Sequence, residues 1–127
     1  MDPLCRNRIF KDVPKYEEID EDPYVKQKFA SVFTGMRGRY TRMRILCALT
    51  EHPSNTNELA NMLGLDYKTI KHNIGVLEKN EFIARTGEGY GDIFSPTELI
   101  LSNLPTLYKV IYEVEKKLER LEKKYID

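Results

Sequence analysis

Apolar residues recur at helical intervals through most of the chain and give way to short strand-like runs only around residues 81–97. Val25, Phe29, Val32, Phe33 and Met36 share one helical face. Asp22 stands where an N-cap belongs and Pro23 at the first helical position, so the spacing predicts a helix beginning there. Gly35 and Gly38 bracket its exit, where glycine relieves left-handed strain. The residues before it hold Pro3, Pro14 and mixed charge with little periodicity, and read as a loose arm over 1–22.

A second helix is expected from about Tyr40 to Thr50, burying Ile45, Leu46 and Leu49 and ending before Pro53, which cannot continue the hydrogen-bond ladder. Asn55 followed by Glu58 has capping-box spacing. The third helix, "TNELANML", should bury Leu59, Ala60 and Leu63 and stop at Gly64. Asp66 can cap a fourth helix that begins at Tyr67 and ends near Asn80, with Ile70, Ile74 and Leu77 on its apolar face. "EFIART" and "DIFSPT" flank a glycine-dense turn and read as a hairpin. Finally Leu104, Leu107, Ile111, Val114, Leu118, Leu121 and Tyr125 alternate in steps of three and four, a heptad seam. The fold class expected is mainly α with a small β-hairpin. Residues 1–22 form an arm, 23–97 a domain and 98–127 a C-terminal helix.

Composition changes this picture little. Hydrophobic residues make up 41% and charged residues 31%, which fits a folded chain rather than a disordered one. No apolar run approaches a membrane span, and the first residues lack a secretory pattern, so the cytoplasm is the expected compartment. Cys47 lies in an apolar stretch and is expected to pack as a small hydrophobe; a disulfide scaffold is not expected. No CxxC is present and His52 and His72 are not at ligand spacing, so neither metal nor cofactor is expected. The formal charge of zero conceals a basic middle: Lys26, Lys28, Arg37, Arg39, Arg42 and Arg44 occur between residues 24 and 50 without one acid.

The element order helix, helix, tight turn, helix, hairpin gives the fourth helix a particular role. A helix-turn-helix seats its second helix by one face and leaves the other free for a DNA major groove. That outward face carries Tyr67, Lys68, Thr69, Lys71, His72 and Asn73, with donors, acceptors and apolar contact near the helix N-terminus, where base edges are reached best. Asn73 suits adenine and Lys71 suits guanine acceptors. Thr56 and Asn57 open the third helix, where backbone N–H groups favour a phosphate. Arg85 and Tyr90 flank the hairpin tip, and Arg39 and Arg42, with Arg37 and Arg44, add backbone charge. Glu88 and Asp92 oppose phosphate contact by the hairpin.

The stretch "SNTNELANMLGLDYKTIKHNIGVLEKNEFIART" resembles the winged helix-turn-helix of bacterial and archaeal transcription regulators, notably the ArsR-like group. Leu59-Ala60, Gly64-Leu65, Thr69-Ile70, Ile74, Leu77 and Phe82-Ile83 carry the resemblance, over roughly residues 38 to 97. It implies a winged helix with flanking helices that binds double-stranded DNA. Glu81 stands where the family has glycine, so Asn80 is expected to take the special backbone turn. Gly75 sits inside the readout helix at a cost of ~1 kcal/mol relative to alanine, and close approach of another backbone would explain it. The cysteine motif of the metal-sensing members is absent from "TNELANML", so metal sensing is not carried over.

The heptad predicts a homodimer reading two half-sites about one helical turn apart, ~34 Å; packing of the same seam on the N-terminal helix is the competing expectation. A sequence-specific regulator of this kind most simply represses. Two other readings are a protein-interaction module within a transcription assembly and an architectural protein that binds DNA without sequence choice. No nucleophile–base pair, P-loop or dinucleotide fingerprint is present, so catalysis is not expected. Nothing in the sequence specifies an effector, a target gene or an operator.

Overall fold

The computed structural model describes residues 22–33, 39–87 and 91–126. All of the expected arm over 1–22 except Asp22, together with Gly35, Met36, Arg37, Gly38, Glu88 and Tyr90, lies outside the described residues. Helix α1 is Pro23–Phe33. Its start is the cap read from the sequence: the Tyr24 backbone N–H donates to Asp22 Oδ1 at 2.9 Å.

Helix α2, Arg39–Glu51, is the centre of the fold. Ile45, Leu46 and Leu49 are buried as expected, and so are Met43, Cys47 and Ala48. It packs against α1, α3, α4 and the second strand, so apolar residues are needed on most of its circumference rather than on one stripe. Cys47 is disulfide-bonded as well as buried. That corrects the expectation of a merely packed thiol.

Helix α3, Thr56–Leu63, carries a complete capping box: Asn55 Oδ1 accepts from the Glu58 N–H at 2.8 Å, and Glu58 Oε1 accepts from the Asn55 N–H at 3.0 Å. It stops at Gly64, whose φ of 67° is left-handed. Helix α4, Tyr67–Lys79, buries Ile70, Ile74 and Leu77. Its exit differs from expectation. Asn80 has φ −90°, and Glu81 itself adopts φ 63°. The Phe82 N–H donates to the Leu77 carbonyl at 3.0 Å and the Glu81 N–H to Glu78 at 2.9 Å, the two bonds of a Schellman ending with Glu81 at the position glycine prefers. Burial of Phe82 fixes this register, so the strain falls on Glu81.

Strands β1, Ile83–Thr86, and β2, Ile93–Pro96, form the antiparallel hairpin, with Arg85 opposite Phe94. Ser54 bridges β2 through two bonds with Phe94, of 2.9 and 3.2 Å, which ties the hairpin to the entry of α3. A short helix α5, Glu98–Leu101, not predicted from the sequence, precedes α6, Leu104–Ile126. Phe29, Phe33 and Phe82 form an aromatic centre, Phe29 meeting Phe82 edge-on at 5.3 Å.

Helix α6 lies along α1, with Lys26 Nζ 3.5 Å from Glu113 Oε1. Leu107 and Ile111 are 0% exposed within the single chain, and Leu104 and Val114 are half-buried. The first half of the expected dimer seam is therefore core, because Phe29 and Phe33 require that cover. The side chains of Leu118, Leu121 and Tyr125 lie outside the described residues. Among the described residues no helix is long and apolar enough to cross a membrane.

Candidate nucleic-acid interface

Helix α4 is held by its apolar face against the core, and its N-terminus is fixed by Asp66. Asp66 Oδ1 accepts from the Thr69 N–H at 2.8 Å, and the Thr69 hydroxyl donates to Oδ2 at 2.9 Å. The backbone bond from Thr69, and then that from its hydroxyl, hold the Asp66 carboxyl below its usual range. The cap thus uses Thr69's hydroxyl, which the sequence reading had offered to bases. Tyr67, Lys68, Lys71 and His72 project from the first two turns and are exposed, Tyr67 by 48% despite its ring.

Asn73 does not join them. It is 3% exposed, and its side chain is spent inside the protein: Nδ2 donates to the Thr69 carbonyl at 2.8 Å and Oδ1 accepts from Arg42 Nη1 at 3.2 Å. Arg42 is itself 8% exposed and donates through Nε to the Val32 carbonyl at 2.8 Å. Burial lowers its pKa, since desolvation disfavours the charged form. The chain Val32–Arg42–Asn73–Thr69 fastens the C-terminal end of α1 to α4 across α2. Two expected DNA contacts are therefore structural in this arrangement. Arg44 is likewise occupied, its Nη2 donating to the Leu63 carbonyl at the end of α3 at 2.8 Å.

At the other end of α4, Arg85 is drawn back onto the protein. Its guanidinium meets Glu78 in a two-pronged bond, Nη2 to Oε1 at 2.7 Å and Nε to Oε2 at 2.9 Å, and reaches Asp92 Oδ2 at 3.2 Å. It also lies 5.3 Å over the Phe94 ring. Hydrogen bonding and charge from Glu78, then from Asp92, raise its pKa further above an already high value. This cluster sets the hairpin against α4 and leaves one surplus negative charge. Glu78 was the partner sequence reasoning missed. Its place three turns after Tyr67 on the same helical face was the available signal.

Between these ends runs a groove of about 410 Å³. Asn55, Thr56 and Asn57 at the entry of α3 form one wall, Tyr67, Lys71 and Gly75 of α4 the floor, and Arg85, Asp92 and Phe94 of the hairpin the far wall. Thr56 is half-buried and Asn57 exposed. Their N–H groups lie in the first turn of α3, which has no intrahelical acceptors, so the groove has donors on that side. The Arg39 side chain and Tyr90 lie outside the described residues. Among those described, no group of three or more His, Cys, Asp or Glu is placed to hold a metal ion.

Residues 33–94 match the model of the N-terminal domain of the methanogenesis regulatory protein FilR1. Among solved structures, the transcriptional regulator Tm0710 from Thermotoga maritima is similar, at 21% identity over 80% of this chain and 72% of that one, with a TM-score of 0.50. The transcriptional regulator SlyA is 13% identical over 98% of this chain and 76% of that one, with a TM-score of 0.44. No curated protein matches. The matched span begins at the last residue of α1 and ends in β2, so it takes in α2, α3, α4 and most of the hairpin. The chain thus has the winged helix-turn-helix fold found in transcription regulators.

Proposed function

We propose that the protein is a homodimeric regulator of transcription that binds double-stranded DNA with sequence preference and represses by occupying a promoter, in the manner of the ArsR-like group without its metal sensing. The observation that carries this reading is the two-sidedness of α4: Ile70, Ile74 and Leu77 are buried while Tyr67, Lys68, Lys71 and His72 stand clear of the protein next to the helix N-terminus. That disposition suits insertion in a major groove, where Lys71 reaches guanine O6 and N7. Thr56 and Asn57 then meet phosphate. Dimerisation falls to the later part of α6, with Leu118, Leu121 and Tyr125, since Leu107 and Ile111 are occupied within the chain.

The test is binding to a duplex selected from a random pool, compared with a scrambled one. Lys71→Ala is expected to cost roughly 1–3 kcal/mol on the selected duplex and to relax choice at one base position. Unchanged affinity and discrimination would remove α4 from the role. The clasp of Arg85 by two carboxylates favours one competitor, an interaction module for another protein. That reading predicts no duplex binding even at low salt, whereas phosphate neutralisation gives a steep negative slope of log K against log salt.

A further inference from the structure

Arg42 is an unfavourable residue for its position on packing grounds. It is 8% exposed, and burying a guanidinium carries a desolvation penalty that an apolar side chain of similar length avoids. What arginine adds is direction. Its planar fork fixes the angle between Nε and Nη1. Here the two nitrogens serve different helices, Nε donating to the Val32 carbonyl at 2.8 Å and Nη1 to Asn73 Oδ1 at 3.2 Å. Val32 lies in the last turn of α1, where carbonyls have no partner within the helix. Asn73 passes the link to the Thr69 carbonyl, and Thr69 is held in turn by Asp66 at the N-terminus of α4. One hydrogen-bonded chain therefore runs from the end of α1 to the turn that presents Tyr67 and Lys68.

We infer that Arg42 couples the α1–α6 face of the molecule to the exposed side of α4, so that ordering either one steadies the other. The inference rests on the reading of DNA binding and dimerisation above and deepens it. Helix α1 packs along α6, the helix on which a second copy is proposed to dock, and α2 lies between α1 and α4, packed on both. Apolar contact from α1 to the hairpin side, such as Phe29 against Phe82, is non-directional and tolerates sliding. The polar chain does not, since a hydrogen bond is lost once its donor and acceptor part by about 1 Å. A duplex that orders α4 therefore lowers the cost of ordering the end of α1, and a second copy seated on α6 lowers the cost of ordering α4. Buried as it is, Arg42 is a positioning residue, acting through Val32 and Asn73 rather than by contact with DNA.

The experiment is hydrogen–deuterium exchange of the full chain, free and saturated with the selected duplex, for wild type, Arg42→Met and Asn73→Ala, each variant first shown by its melt to be folded at the working temperature. In wild type the duplex is expected to slow exchange in residues 67–73 of α4 by contact. It is also expected to slow residues 30–33 of α1, remotely, by about fivefold or more, the range of ordinary coupling. In both variants the slowing at 67–73 should persist while that at 30–33 disappears. Wild type that slows at 67–73 and not at 30–33 overturns the coupling and leaves the DNA reading standing, whether or not the variants fold. Remote slowing that survives in a folded variant overturns Arg42 as its carrier. Failure of wild type to bind any duplex at low salt overturns both the coupling and the DNA reading.

Discussion

Asn73→Ala separates a structural role from a readout role at one position. The asparagine accepts one buried hydrogen bond from Arg42 and donates a partly buried one to the Thr69 carbonyl. Removing it leaves an arginine N–H without that acceptor and withdraws one donor from a carbonyl. A bond to a charged group contributes roughly 1.5–3 kcal/mol and a neutral one about 1, with the burial of the abandoned donor included in the first figure. The Thr69 carbonyl retains its helical partner, so the smaller loss is partly made up. A destabilisation of about 2–3 kcal/mol follows. For a chain of this size that lowers Tm by roughly 6–12 °C. The assay is thermal and urea unfolding of Asn73→Ala, followed by duplex titration well below its Tm. The ratio of affinities for selected and scrambled duplexes should match wild type, because the side chain never faces the base edges. An unchanged Tm together with a lost preference at one base pair would refute the structural assignment and restore Asn73 to the readout face.

Three further outcomes follow from the packing. Glu81→Gly should stabilise by about 0.5–1 kcal/mol in denaturant unfolding, since glycine accepts φ 63° without the Cβ penalty, offset in part by its greater freedom when unfolded. Phe82→Ala should cost about 3–5 kcal/mol, because the ring is fully buried between Phe29 and Phe33 and anchors the hairpin to α1. Asp66→Ala should lower stability at neutral pH. Because the folded-state pKa is depressed, the carboxylate's contribution is full above the ordinary carboxylate range. It is lost as pH falls through the folded value, so the wild-type and variant unfolding curves should converge on acidification. Curves that stay equally far apart in acid would show that the cap does not depend on the ionised form.

The elements legible in the sequence were those that local chemistry decides. Asp22-Pro23, the Asn55–Glu58 box, Gly64 and Asp66 each satisfy backbone groups within a turn, and each formed as read. The hairpin was legible from its glycines. The errors lie where a distant group competes. Asn73 is polar and near the N-terminus of α4, which favours outward placement, yet Arg42 reaches it from a neighbouring helix. Helical phase alone hints at this, since Asn73 stands next to Ile74 and between Ile70 and Leu77. Glu81 took the left-handed turn because Phe82 had to be buried, a tertiary demand that outranks the preference of Asn80. In α6 a seam of heptad spacing serves the core of its own chain first, because Phe29 and Phe33 of α1 present the nearest apolar surface. Periodicity identifies an apolar face and is silent on what covers it. Arg85 was read as a cation free for DNA, since charge in sequence carries no record of the two carboxylates that converge on it.

The central claim is that the exposed side of α4 lies against DNA. Titrating isotope-labelled protein with the selected duplex and following amide shifts by NMR addresses it at every position. Perturbations are expected at Tyr67, Lys68, Lys71 and His72, with Thr56 and Asn57 alongside, and none in the buried stretch of α6 around Leu107 and Ile111. Shifts confined to α6 and α1, with the α4 amides unmoved at saturation, would contradict it.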